Sequence, residues 1–380
     1  MATIREVAQA AGVSIATVSR VCSGSPHVRA ETRRRVHEAA DRLDFCPNSA
    51  ARSLITNRTN ALGVLLPDLY GEFFSEVIRG IDRAARAARL QILLSSSHAD
   101  IEELLWAANS MHGRIDGLIA MTPDARLVEA IRQATRRVRV LLLNPWSDLP
   151  GCDSVAIANY DGAQALVRHL LRCGHREIAA IRGPKGNIDA EERLRGYRNA
   201  LEEAAIKPSP RLVLEGDFTE AAGYLSAERL VKLRPRPTAV FAGNDSMAIG
   251  LMSGLRRRGL QVPDDMAVVG FDDIAIAQYL SPALTTVRVP ACALGERAVQ
   301  RWCAGASGPA RDAQHEVLPT SLILRASCGG NGHAARTCGR GARRQPARYE
   351  GSAFDRSPAG SGRSPRKQTA PGNGGGLTSS

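Results

Sequence analysis

The chain has 380 residues, and 50 Lys and Arg against 38 Asp and Glu give it a formal net charge of +12. Length allows two or three domains of roughly 100–200 residues, and a 44% apolar composition excludes a wholly disordered chain. The first six residues, Met1 to Glu6, carry an acid where a secretory segment would be apolar, and no apolar run approaches the ~18 residues of a membrane span, so a cytoplasmic protein with no membrane partner is expected.

Residues 1–60 hold nine Arg and five acids. Thr3 followed by Glu6 is a capping-box pattern that opens a helix with Val7, Ala8 and Ala11 on one face. Gly12 and Val13 redirect the chain. Ser14 with Thr17 caps a second short helix running through Val21, with Val18 and Val21 inward and Ile15, Ala16, Ser19 and Arg20 outward or near its N-terminus. A third amphipathic stretch runs from Glu31 to Leu43 and offers Val36, Ala39, Ala40 and Leu43. Two short helices joined by a tight turn and braced by a third describe a helix-turn-helix unit.

The outward residues of the second helix suit double-stranded DNA. Arg20 can donate two bonds to guanine O6 and N7, and small apolar Ile15 and Ala16 allow close approach and contact with a thymine methyl. Thr17, Ser19, Ser23 and backbone N–H groups at helix starts suit phosphates, and Thr3 and Ser14 are further candidate DNA-binding positions. An ordinary three-helix cap is the competing reading of the pattern alone.

From residue 61 to 327 the charge nearly balances, with 32 basic and 31 acidic residues. Short apolar runs recur at Leu62–Leu66, Ile92–Leu94, Gly117–Ala120, Val140–Leu143, Ile178–Ile181, Leu212–Leu214, Ala239–Phe241 and Ala267–Val269, with helical segments between most of them. Continuous apolar strands separated by helices argue for parallel sheets covered on both faces. About 265 residues of this kind are enough for two α/β subdomains with a cleft between them.

Residues 328–380 read differently. Twelve Gly, no Ile or Val and one Leu from Gly329 onward leave too little apolar surface to offset the entropy of ordering. A disordered basic tail is expected there, with nine basic residues against two acids.

The chain has no G-x-S-x-G, no G-x-x-x-x-G-K-[ST] and no H-E-x-x-H, so an enzyme is not expected. Eight Cys without a C-x-x-C pair indicate neither a disulfide framework nor a metal site. No cofactor is expected either. An exported binding protein and a non-specific nucleoid protein are the remaining rival classes.

The run Thr3-Ile4-Arg5-Glu6-Val7-Ala8-Gln9-Ala10-Ala11-Gly12-Val13-Ser14-Ile15-Ala16-Thr17-Val18-Ser19-Arg20-Val21 resembles the N-terminal signature of the LacI/GalR (lactose/galactose repressor) family. The resemblance continues through Pro47 to Leu54, Gly174-His175-Arg176-Glu177-Ile178, Arg193 to Tyr197, Ala242 to Gly250, Val269 to Asp273 and Pro282 to Thr286. It covers about residues 2–327.

The resemblance implies a DNA-binding repressor acting as a homodimer, or as a tetramer of paired dimers, on a pseudo-palindromic operator. Its fold would be a helix-turn-helix headpiece (1–46), a hinge helix and linker (47–60), and a type I periplasmic-binding-protein-like core of two doubly wound α/β subdomains (61–327). The subdomains would comprise about 61–160 with 291–320, and about 161–290 with 321–327. The hinge would bring Ala51 and Leu54 to the DNA, with Leu54 as a wedge in the minor groove. A seven-residue helix is far below the ~12–15 residues needed for stability alone, so it should form only when paired on DNA.

The same resemblance implies an effector in the cleft, with Arg193 clamping its oxygens and Asp272 accepting its hydrogen bonds. Asn244 would lie beneath it, Phe218 would stack on it, and Phe73 and Phe74 would supply apolar contacts. Asn144 stands where many members carry Asp. A sugar is the expected effector, with a nucleoside or purine base as the alternative. Two simpler roles are open nearby: Asp245 as a helix cap, and Asp272-Asp273 as a strand-ending turn.

Overall fold

The structure is a computed structural model, described here for residues 2–22, 24–45, 58–97, 100–121, 138–145, 151–306 and 312–329. Ser23, Ala51, Leu54, the expected hinge helix and the expected tail beyond Gly329 lie outside the described residues.

The first three helices are α1 (Ile4–Ala11), α2 (Ile15–Cys22) and α3 (Ala30–Arg42). The Thr3 N–H donates to Glu6 Oε2 at 2.7 Å and the Glu6 N–H to Thr3 Oγ1 at 3.4 Å, completing the capping box. Gly12 closes α1 at φ 60°, a left-handed conformation that costs glycine little. Ser14 Oγ accepts the Thr17 N–H at 3.2 Å and so starts α2. Val7, Ala8, Ala11, Val18, Val21, Val36 and Ala39 form the small shared core. Arg35 on α3 donates to the carbonyl of Ala11, bracing the turn from the third helix.

Two parallel sheets make the rest. The first has strand order β11-β5-β4-β3-β1-β2, where β1 is Ala61–Leu66, β2 Gln91–Ser96, β3 Gly117–Met121, β4 Arg139–Leu143, β5 Asp153–Ile157 and β11 His315–Leu318. Its central strands β1 and β3 are buried along their whole length, as continuous apolar runs covered on both faces must be. Helices α4 (Glu72–Ala87) and α10 (Ala291–Ala306) pack together, and α10 also meets β3, β4 and β5. Leu104, Ala107 and Met111 of α5 (Ile101–Ser110) and its end join a separate cluster with Leu65, Leu118 and Leu142.

The second sheet has order β7-β6-β8-β9, with β6 at Ile178–Ile181, β7 at Val213–Leu214, β8 at Ala239–Ala242 and β9 at Ala267–Val269. Its helices are α6 (Asn159–Arg172), α7 (Ile188–Glu203), α8 (Glu220–Lys232) and α9 (Asp245–Arg257), packed as the pairs α6 with α7 and α8 with α9.

The chain moves between the two sheets three times, at residues 158, 289–290 and 319–320. At the second and third passages β10 (Thr286–Arg288) and β12 (Ser321–Ile323) pair antiparallel. Four strands were not in the sequence expectation: β5, β10, β11 and β12. Leu212 was expected to open a strand but closes a short 3₁₀ turn, Pro210–Leu212, so that strand reduces to Val213–Leu214. Among the described residues no helix is long and apolar enough to cross a membrane.

Candidate functional site

On the headpiece, α2 buries Val18 and Val21. Ser14, Ile15, Ala16, Ser19 and Arg20 are exposed, and Thr17 is half-buried. Ile15 keeps 43% of its surface accessible, leaving an apolar side chain at the start of α2 open to contact. The hydroxyl of Ser14 is 2.9 Å from that of Thr17. Thr3 is exposed, and its hydroxyl is held by Glu6 Oε2 at 3.0 Å, so its first role is to fix the start of α1.

The second candidate site is a cavity of about 190 Å³ between the two sheets. Its walls come from segments that leave the C-terminal ends of parallel strands on both sides: Asp68 after β1, Asn144 after β4, Phe218 after β7, Asn244 after β8 and Asp272 after β9. Open α/β sheets bind ligands in this crevice. Phe73, Phe74, Asn144, Arg193, Phe218, Asn244 and Asp272, the seven effector positions expected from the sequence, all line it.

Arg193 is 4% exposed. Its Nε donates to Asn159 Oδ1 at 2.8 Å and its Nη1 to the Gly243 carbonyl at 2.7 Å. Nη2 lies 3.1 Å from Asp272 Oδ1, an ion pair without the alignment of a good hydrogen bond. The guanidinium sits 3.9 Å from the centroid of the Phe271 ring and 5.8 Å from that of Phe218, within cation–π range. Three fixed partners leave Arg193 N–H groups to spare, since a guanidinium has five.

Burial pushes the Asp272 carboxyl up to about 6; Arg193 opposes the rise and Asp189 adds to it. Its backbone has φ 115°, a costly conformation for a side-chain-bearing residue. Asn144 (φ 45°) and Phe218 (φ 69°) are also left-handed. Three such residues around one cavity place backbone strain where a ligand would sit. Asp273 plays a different part, receiving Arg288 and Arg325 at 2.7 Å each.

Both polar ends of the Asn144 amide are in use. Its Oδ1 accepts the Ile157 N–H at 2.9 Å, and its Nδ2 donates to Asp189 Oδ2 at 3.2 Å across the cleft. Asn244 is likewise engaged: Oδ1 accepts the Met247 N–H, and Nδ2 donates to the Phe218 carbonyl, both at 2.9 Å. Asn244, not Asp245, therefore caps α9. Asp245 is fully buried and accepts from Thr286 Oγ1 at 2.6 Å and from the Ile274 N–H at 2.9 Å. Its carboxyl is raised well above the ordinary value, first by burial and then by Asp272.

Asp189 was missed by the sequence expectation. It lines the cavity, accepts from Asn159 Nδ2 at 2.8 Å, and is raised by burial against the pull of Arg193. Asn187 caps α7 by accepting the Ala190 N–H at 3.0 Å, which fixes the first turn that carries Asp189. Phe73 and Phe74 pack edge to face with centroids 5.3 Å apart. Among the described residues no group of three or more His, Cys, Asp and Glu is arranged to hold a metal.

Comparison with known proteins bears on both sites. Residues 3–48 match the family described as bacterial regulatory proteins, lacI family, and residues 167–328 match a periplasmic binding protein-like domain. The chain is 32% identical to the ribose operon repressor of Haemophilus influenzae, covering 86% of this chain and 98% of that one. It is 34% identical to the HTH-type transcriptional repressor PurR of Edwardsiella ictaluri, over 86% and 97% of the two chains. The crystal structure of the Lac repressor dimer bound to operator and the anti-inducer ONPF superposes with a TM-score of 0.78 at 30% identity, over 86% of this chain and 99% of that one. The protein belongs to the lacI family of bacterial regulatory proteins, and it is a DNA-binding transcriptional regulator.

Proposed function

We propose that this regulator is a cytoplasmic, non-enzymatic repressor whose homodimer reads a two-fold symmetric operator through α2 and answers to a small sugar in the cleft. The observation that carries the DNA reading is the division of α2, which buries Val18 and Val21 while turning Ile15, Ala16, Ser19 and Arg20 to solvent. A helix of this size with one strong guanine donor and small apolar neighbours fits a major groove. Two-fold protein symmetry matches two-fold operator symmetry.

The sugar reading rests on the cleft's mixture of aromatic faces and fixed polar groups. Phe73, Phe74 and Phe218 offer apolar surface, Arg193 offers donors and Asp272 offers acceptors. The relative named for the ribose operon supports it. A nucleobase is the second reading, favoured by the equally similar relative named PurR.

Control follows from where the cleft lies. A ligand shifts a two-state equilibrium only by the difference in its affinity for the two states. Because the cavity wall is shared by both lobes, a ligand there has different contacts whenever the lobes change their mutual orientation, and the DNA affinity changes reciprocally.

Selection of randomised duplexes by the full-length protein, with and without a panel of sugars and nucleobases, tests the proposal. A symmetric motif whose enrichment changes with one ligand is expected. Recovery of asymmetric or unrelated sequences would overturn the operator reading, and a nucleobase response would replace the sugar.

A further inference from the structure

We infer that the cleft ligand is uncharged or cationic, and that the site rejects phosphorylated and carboxylated molecules; the inference rests on the proposal that this cleft is the effector site. Among the described residues its wall carries six carboxylates, those of Asp68, Glu72, Asp189, Asp217, Glu220 and Asp272, and one cation, Arg193. The formal excess is five negative charges.

What matters is whether those carboxylates are neutralised where they stand. Five of them are held by neutral donors. Asp68 accepts the N–H groups of Leu69 and Tyr70 at 2.6 and 3.0 Å. Asp217 accepts the Thr219 N–H at 2.9 Å and its hydroxyl at 2.6 Å. Glu220 accepts the Ser246 hydroxyl at 2.5 Å, Glu72 accepts the Ala275 N–H at 2.6 Å, and Asp189 accepts from two asparagines. Hydrogen bonds of this kind fix a carboxylate without cancelling its charge. Among the described residues Asp272 alone is ion-paired with the wall's single cation, Arg193, which also acts on Asp189 through space.

Among the described residues the nearby arginines do not restore the balance. Arg182 is paired with Glu191, and Arg288 and Arg325 with Asp273. A wall of this sign, set between low-dielectric lobes, concentrates cations and repels anions. A hydroxyl-rich or amine-bearing ligand gains from the same groups, because each ionised carboxylate keeps acceptor sites beyond the bonds already made.

Matched pairs test the inference on the full-length protein by calorimetry: ribose against ribose 5-phosphate, glucose against glucose 6-phosphate and glucosamine, and adenine against adenosine monophosphate. The phosphorylated member of any pair that binds is expected to be weaker by about tenfold or more. Equal or tighter binding of a phosphorylated member overturns the inference. If no sugar binds but a base does, the sugar reading falls while the charge inference is judged on the base pair.

A ligand-free measurement decides the same point. Tryptophan fluorescence of Phe73→Trp, taken as the difference from the parent protein and with each quencher scaled to its constant for free tryptophan, is expected to be quenched several-fold more by caesium than by iodide. Phe74→Trp supplies a second reporter if the first variant folds poorly. Stronger scaled quenching by iodide at the reporter overturns the inference.

Discussion

The backbone N–H of Ala275 donates to Glu72 Oε1 at 2.6 Å, joining residues 203 positions apart on opposite lobes of the cleft. Glu72 opens α4 on the lobe of the first sheet, whereas Ala275 follows β9 on the other. With Asn144 Nδ2 reaching Asp189 deeper in the cleft, it makes two hydrogen bonds that span the gap a ligand would occupy.

Removing the outer bond loosens the lobes. Glu72→Ala is expected to speed amide hydrogen exchange at Ala275 by roughly fivefold, the equivalent of about 1 kcal/mol for a charge-assisted bond at a solvent-exposed position. Glu72→Gln keeps an acceptor oxygen and should restore much of the protection. Equal exchange in all three proteins would show that the bond has no part in holding the lobes together.

Base reading is expected to depend on Arg20. Arg20→Ala should cost about 1–3 kcal/mol of operator affinity and relax preference at one base pair in each half-site. Randomised-site selection checks it: an unchanged preference would remove Arg20 from the reading surface.

Arg193 cannot be replaced as simply. It holds Asn159, the Gly243 carbonyl and Asp272 together, and Arg193→Ala would leave the buried Asp272 carboxyl without its cation. A loss of about 3–5 kcal/mol in folding stability is expected, measurable by urea unfolding. Asp272→Asn is the better probe of ligand contact, because it removes the charge at nearly constant shape.

Acidity should weaken a ligand held by ionised Asp272. With its carboxyl pushed up to about 6, protonation removes acceptor capacity as pH falls through that value, and affinity should decline by up to about tenfold per unit below it. Arg193, Asp189, Asp245 and Asp273 are the charged groups around it, and all are present in the parent protein. Asp272→Asn should flatten the profile. The stability effect has the opposite sign. The folded value lies above the ordinary 3.8, so this group's contribution to stability is complete below the unfolded value and is lost as pH rises through about 6.

The contact between α4 and α10 is close enough to test by one methyl group. A Cβ on Gly80 would lie 1.9 Å from the Cys292 carbonyl oxygen, and one on Gly295 would lie 2.2 Å from that of Val77. Gly80→Ala should force the helices apart and destabilise the first lobe by about 1–3 kcal/mol or more. A melting temperature equal to the parent's would mean that the helices separate freely.

Much of this architecture could be read from residue order because its central strands are buried on both faces. Runs such as Leu62–Leu66 and Ala239–Phe241 are apolar throughout and stand out. Asp153–Ile157 did not, because Asp153 and Ser154 interrupt the pattern for reasons visible only in space. Asp153 pairs with Arg139 of the neighbouring strand, and Ser154 lies 2.8 Å from His315 Nδ1. The edge strand His315–Leu318 is partly exposed, and the short pair of β10 and β12 has meaning only once two passages of chain are laid side by side.

The cleft divides in the same way. Arg193, Phe218 and Asp272 sit in recognisable local patterns. Asp189 depends on Asn144 and Asn159, brought to it from 45 and 30 residues away, and no local pattern carries that meeting.

The threefold passage between the sheets also sets an order of synthesis. β11 enters the first sheet beside β5, although more than 150 residues separate them in the chain, and α10 must cover β3 to β5 before that lobe is sealed. On the ribosome, the lobe begun first is therefore still open after every strand of the second sheet has been made. The second sheet, contained in residues 178–269, can assemble while its partner still lacks an edge strand and a covering helix. A nascent chain stalled near residue 290 would thus display the uncovered apolar face of β3 to β5, the kind of surface that chaperones bind.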